Sequence, residues 1–140
     1  MTDREVLEGY RHIGAEMRLL QKHIELLCEL SGVQDRRAGG LGLADGAAER
    51  LREVERCRAE LDRKWKRLCG LQARFEGIMA RITDPQERLV MRAYYGLGLS
   101  DEKAAESMCL SRTSVINRRH VCVRRLEAAE ETRRRRERNA

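Results

Sequence analysis

Residues 84–126 read DPQERLVMRAYYGLGLSDEKAAESMCLSRTSVINRRHVCVRRL, and the punctuation of this stretch decides the fold. Asp84 suits an N-cap, Pro85 the first helical position and Glu87 the third, so a helix is expected to start here. It carries Leu89, Val90, Met91, Ala93, Tyr94 and Tyr95 and is expected to stop at Gly96-Leu97-Gly98-Leu99, where glycine permits a turn that other residues resist. Ser100 then caps a short helix, DEKAAESM, with Ala104, Ala105 and Met108 facing inward. After Cys109 and Leu110, Ser111 caps a further helix, RTSVINRRHVCVRRLEAAEE.

Two helices joined by a short turn, the first rich in alanine so that the second can approach closely, have the outline of a helix-turn-helix. From Ser107 to Leu126 no residue is acidic, while Arg112, Arg118, Arg119, Arg124 and Arg125 are basic and His120 can add part of a charge. A phosphate backbone would favour such a face. Arginine and asparagine near the start of the second helix are also side chains that hydrogen-bond base edges in a major groove. The plainer alternative is a solvated amphipathic helix kept soluble by its arginines; the cap, the turn and the alanine-rich helix before it weigh against that.

Upstream, Thr2-Asp3-Arg4-Glu5 reads as a capping box and starts a helix expected to run from residue 3 to 30. Its apolar residues, Val6, Tyr10, Ile13, Met17, Leu20, Ile24 and Leu27, fall at alternating steps of four and three, the seam of a coiled coil. Residues 31–46, with glycines at 32, 39, 40, 42 and 46, read as a linker, because that composition makes a helix entropically expensive. A second seam runs over helix 47–82 through Ala47, Leu51, Val54, Arg58, Leu61, Trp65, Leu68, Gln72, Phe75, Met79 and Ile82. Arg58 and Gln72 interrupt it, whereas Cys57, Leu71 and Ile78 widen its apolar face.

The fold class expected is therefore all-α: a long antiparallel helical hairpin over residues 1–83, a helix-turn-helix domain over 84–130, and a basic tail over 131–140. A symmetric dimer making a four-helix bundle would cover the excess apolar width. Its oligomerisation contacts are expected at Tyr10, Ile13, Met17, Leu20, Ile24, Leu27, Leu61, Trp65, Leu68 and Phe75.

Composition narrows the function. At 140 residues with five aromatic ones, the chain is too small and thin for a large globular enzyme. Basic residues number 29, only four of them lysine, against 23 acidic, which suits a polyanionic partner. No apolar run is long enough for a membrane span, the N-terminus lacks the apolar core of a secretory signal, and the charges on the helices mix both signs, so a cytoplasmic location and no membrane partner are expected. The cysteines, Cys28, Cys57, Cys69, Cys109 and Cys122, are odd in number and scattered, which fits reduced thiols better than a disulfide framework. Cys109, His120 and Cys122 come nearest to a metal cluster but lack a clear fourth ligand, so no metal and no cofactor are expected. The GGLG run has neither a G-K-[ST] sequence nor a strand before it, which argues against nucleotide binding. His12, His23 and His120 have no nucleophile–base spacing or paired carboxylates around them, and no catalysis is expected.

The run from Arg88 to Leu126 resembles region four of bacterial sigma factors, and the whole chain is similar to small phage and prophage transcriptional regulators with an N-terminal coiled coil, a glycine-rich middle and a sigma-like C-terminal helix-turn-helix. In those proteins the stretch before the turn reads like R-Y-x-x-G-x-[ST]-[WY]-x-x-I-A; here it is carried by Tyr94, Tyr95, Gly98, Ser100, Asp101, Ala104 and Ala105. Asp101 stands for the usual aromatic residue, Ala104 for a larger aliphatic one, and Arg118 where an apolar residue usually packs. The resemblance implies that Arg112, Thr113, Ser114, Ile116 and Asn117 face the groove while Val115, Cys122, Val123 and Leu126 pack inward. The side-chain chemistry adds roles: Asn117 for adenine, Arg112 for guanine or a phosphate, Ile116 for a thymine methyl, and Ser100, Arg119 and Arg124 for phosphates.

The function expected is a sequence-specific, double-stranded-DNA-binding transcriptional regulator of phage or prophage type, acting as a homodimer with host RNA polymerase. Nothing corresponds to the aromatic segment that traps melted promoter bases, so it is not expected to be a full sigma factor. Two alternatives share the residues: a DNA-packaging protein like a phage terminase small subunit, which a ring of subunits would favour, and a module whose basic helix binds RNA polymerase instead of DNA.

Overall fold

In the computed structural model, residues 1–38 and 44–140 are described, with side chains described for 1–30 and 46–140. All their regular elements are helical: α1 (Asp3–Ala38), α2 (Ala44–Arg81), α3 (Pro85–Met91), which continues into a wider π-helical stretch at Arg92–Gly96, α4 (Asp101–Met108) and α5 (Arg112–Arg138). No strand occurs among the described residues, and no helix is long and apolar enough to cross a membrane.

The helix starts follow their caps. Thr2 and Glu5 close the capping box, Glu5 N–H donating to Thr2 Oγ1 at 3.2 Å and Thr2 N–H to Glu5 Oε2 at 2.9 Å. Asp84 accepts from Gln86 N–H at 2.9 Å, with Pro85 in the first turn of α3. The helix ends are less regular. α1 continues to Ala38, beyond the end expected at Leu30, and α2 begins at Ala44, ahead of Ala47. A lone Gly32 costs a helix only about 1 kcal/mol, and the residues after it include the good helix formers Gln34, Arg36, Arg37 and Ala38. The centre of the expected linker, residues 39–43 with Gly39, Gly40 and Gly42, lies outside the described residues.

The packing divides the chain into two units: Met1–Gly14 with Leu68–Ala140, and Ala15–Arg67. The first turns of α1 and the last turns of α2 thus share one core with the C-terminal helices, and no break in packing occurs at the boundary expected between residues 83 and 84. That core holds Val6, Leu7, Phe75, Ile78, Met79, Ile82, Met91, Tyr95, Cys122, Val123 and Leu126. Leu7 is fully buried although it stands off the expected seam, because α1 meets neighbours on more than one side here: Asp3 pairs with Arg81 of α2 at 2.9 Å, and Arg4 with Glu127 of α5 at 3.2 Å. Tyr10 stacks on Phe75 with ring centroids 4.4 Å apart, and Gly96 passes so close that a Cβ there would meet Phe75 Cζ at 3.2 Å. Burial pushes the Cys122 thiol up to about 11, with the Glu87 charge adding, so it stays protonated and acts as an apolar filler.

In the second unit, α1 and α2 again run antiparallel: Lys64 pairs with Glu16 and His23 approaches Glu53. Ile24, Val54 and Cys57 form its core, with Leu20, Leu27 and Leu61 partly buried against them. All but Cys57 of these lie on the expected seams, while other seam positions on α2 turn outward. Leu51 and Trp65 remain 59% and 53% exposed, and Arg58 between them is also exposed. An inward stripe of 51, 58 and 65 would have buried the Arg58 guanidinium without a partner, whereas presenting Val54, Cys57 and Leu61 leaves it in water. Likewise Gln72 is exposed and Leu71 takes its place against the first unit's core.

Several expected oligomerisation residues are therefore occupied within the chain. Ile13, Ile24 and Phe75 are buried, Tyr10 stacks on Phe75, Leu20, Leu27 and Leu61 pack in the second core, and Met17 and Leu68 are half-buried. Of the ten, only Trp65 is exposed. Phe75→Ala should lower stability by about 3–5 kcal/mol in chemical denaturation, whereas Leu97→Ala, at a 65% exposed position, should stay within about 0.5 kcal/mol.

Candidate nucleic-acid interface

The C-terminal helices are positioned by small side chains and two serine caps. Val90, Ala93, Ala104, Ala105 and Val115 make a core of their own, with Leu99, Met108 and Leu110 packed against it. Ser100 Oγ accepts from Lys103 N–H at 3.2 Å to start α4, and Ser111 Oγ from Ser114 N–H at 3.1 Å to start α5. The turn between them passes through Cys109 in the left-handed region at φ 55°, which lets Leu110 N–H reach Ala105 O at 3.0 Å and closes the end of α4. Gly98, at φ 69°, provides the earlier bend.

On α5 the buried residues are Val115, Arg119, Cys122, Val123 and Leu126. The four apolar ones are those the resemblance places inward. Thr113, Asn117, His120, Val121 and Arg124, spaced at helical intervals, make an exposed stripe on the other side. Arg112 is exposed at the first turn, its Nε 3.8 Å from a carboxylate oxygen of exposed Glu102. Ser114 and Ile116 are half-buried, as is Arg118, whose Nε donates to Ser114 Oγ at 3.3 Å. Ser100 is exposed at the α4 cap, and Arg124 has no ion pair among the described residues.

Arg119 corrects the expectation of a phosphate contact. It is 9% exposed, its Nη2 donates to both carboxylate oxygens of Asp101 at 2.9 and 3.0 Å, and its guanidinium lies 3.8 Å from the Tyr94 ring centroid. The opposing guanidinium, Arg11 of α1, also sits 3.8 Å from that centroid and donates to the Tyr94 and Leu99 carbonyls. Arg119 is thus committed to holding α4, α5 and the π-helical stretch together. Burial pushes the neighbouring Tyr95 hydroxyl up, and the Arg119 charge partly offsets this. Reasoning from the basic run missed this role because it counted arginines by sign; the signal was position, since 115, 119, 122 and 126 share one face of a helix.

Arg125 is partly committed as well: its Nη1 donates to buried Glu87 at 2.7 Å. The expected basic tail is the continuation of α5, where Arg133 lies 3.7 Å from Asp3, Arg134 pairs with Glu130 at 3.0 Å and Arg135 with Glu131 at 3.3 Å. The arginines left for a polyanion on the first half of α5 are Arg112, Arg118 and Arg124. Cys109, His120 and Cys122 do not converge into a metal-holding group.

Comparison of this chain with protein-family models, with curated proteins and with solved structures finds no match.

Breaking the Arg119–Asp101 pair by Arg119→Ala should lower stability by about 3–5 kcal/mol, while Arg124→Ala should stay within about 0.5 kcal/mol in the same denaturant titration. An unchanged stability for Arg119→Ala would mean that the guanidinium is not structural.

Proposed function

We propose that the protein is a sequence-specific, double-stranded-DNA-binding regulator of transcription, of phage or prophage type, in which α4 and α5 form a sigma-region-four-like helix-turn-helix. The observation that carries the reading is the exposed stripe of Thr113, Asn117, His120 and Arg124 on a helix whose opposite face is buried and whose first two turns contain no acidic residue. Such a helix offers neutral and cationic donors at its N-terminal end, where helix-turn-helix proteins contact bases, and a cation further along for the backbone.

Asn117 suits bidentate pairing with adenine and Arg112 pairing with guanine or a phosphate, while the half-buried Ile116 has an edge to offer a thymine methyl. Ser100 at the start of α4 and Arg124 take phosphates. Arg119 is left out, since it is buried and its Nη2 is taken by Asp101. In this reading the antiparallel pair α1–α2 is a coiled-coil body that brings two heads together; the apolar groups it leaves uncovered, Leu51 and Trp65 on α2 with Leu19, Leu26 and Leu30 on α1, favour a second copy. A dimer places two recognition helices on half-sites separated by whole helical turns. The polymerase partner follows from the resemblance to sigma region four.

Asn117→Ala should reduce affinity by about 1–3 kcal/mol at one base-pair position and relax the preference there, whereas Arg124→Ala should weaken all sequences alike and lower the salt slope by about 1. Equal losses on every sequence for both variants would remove Asn117 from base reading.

A further inference from the structure

Within the second unit, three different metal-ligating side chains converge on one another. Glu53 and Cys57 stand one helical turn apart on α2, so both lie on one side of it, and His23 of α1 reaches the same place across the antiparallel pair. A ligand atom from each lies within 4.8 Å of the others. One oxygen is shared: Glu53 Oε1 lies 3.7 Å from Cys57 Sγ, whose thiol donates to it, and 3.9 Å from His23 Nε2. The second carboxylate oxygen, Oε2, is held by Arg56. The carboxylate is thereby oriented from outside with Oε1 turned towards sulfur and nitrogen, the kind of support that metal-ligating carboxylates receive from neighbours.

We propose that His23, Glu53 and Cys57 form a binding site for a zinc-class divalent transition-metal ion that clasps α1 to α2. One nitrogen, one oxygen and one sulfur donor select zinc or cobalt over magnesium or calcium, which prefer oxygen alone. Tetrahedral zinc at about 2.0–2.3 Å from each ligand needs its donors roughly 3.5 Å apart, so from separations within 4.8 Å a contraction of at most about 1.3 Å assembles the site, and the half-buried Glu53 and exposed His23 have side-chain freedom to supply it. The ion replaces the Cys57 thiol proton, which leaves to solvent, and the thiolate and carboxylate together neutralise its two charges. Ile24, Val54 and Cys57 form an apolar floor beneath the site, and exposed His23 leaves the fourth position open to water. The site is independent of the DNA reading, and its failure would leave that reading untouched.

The test uses the full-length, chelator-stripped protein and cobalt(II) as the probe. One equivalent should produce the near-ultraviolet thiolate-to-cobalt charge-transfer band and the intense visible bands of a tetrahedral ion, both abolished when zinc(II) displaces it. His23→Gln, at an exposed position, should leave the metal-free melting temperature unchanged and weaken cobalt binding by about tenfold or more. Cys57→Ser should remove the charge-transfer band, whereas Cys28→Ser and Cys69→Ser should retain it. No charge-transfer band in the wild type, an undiminished band in Cys57→Ser, or unchanged cobalt affinity in His23→Gln would each overturn the site.

Discussion

A guanidinium stays charged at any pH the protein meets, so once Arg119 is placed inside the C-terminal unit its charge must be answered there. Asp101 answers it from α4 and the Tyr94 ring from the π-helical stretch. Tyr94 in turn carries Arg11 of α1 on its ring. A single buried cation thus ties together helices far apart in the sequence and fixes how α5 is rotated. That rotation turns Thr113, Asn117 and Arg124 outward. The small core of Ala104, Ala105 and Val115 adds close approach, but apolar contacts tolerate sliding that a hydrogen-bonded ion pair does not.

The same constraint redistributes charge. The sequence carries a run of arginines on α5, yet Arg119 and Arg125 face Asp101 and Glu87, and Arg133, Arg134 and Arg135 have acidic neighbours. Much of the positive charge therefore serves packing and helix pairing, and the surface left for a polyanion is narrower than composition suggests. Such a surface favours recognition through a few placed donors over broad electrostatic adhesion.

Local signals were legible in the sequence wherever one side chain does one job. The Thr2–Glu5 box, Asp84 before Pro85, and the serines at 100 and 111 start helices because their oxygens satisfy free amides, which needs no knowledge of the rest of the chain. Helical class follows from apolar period. What the sequence did not yield were choices set by distant partners. Arg58 and Gln72 turn outward, and on α2 the flanking Cys57 and Leu71 join the seam residues Val54 and Leu61 on the inward face, a rotation that depends on the cost of burying a charge without a partner. Leu7 is buried because α1 meets α5 as well as α2, which no local pattern announces. The pairing of Asp101 with Arg119 joins a residue read as standing in for an aromatic one and a residue read as a phosphate contact.

The central claim is that the exposed stripe of α5 reads DNA sequence. Its most direct measurement is a map of where the purified protein binds on fragmented DNA of its own genome at about 150 mM salt, where non-specific phosphate binding has already weakened to about 10⁻⁴ to 10⁻⁶ M. The account predicts one or a few sharp sites at promoters, each with a two-fold footprint. Binding spread over all fragments, or none, would contradict it.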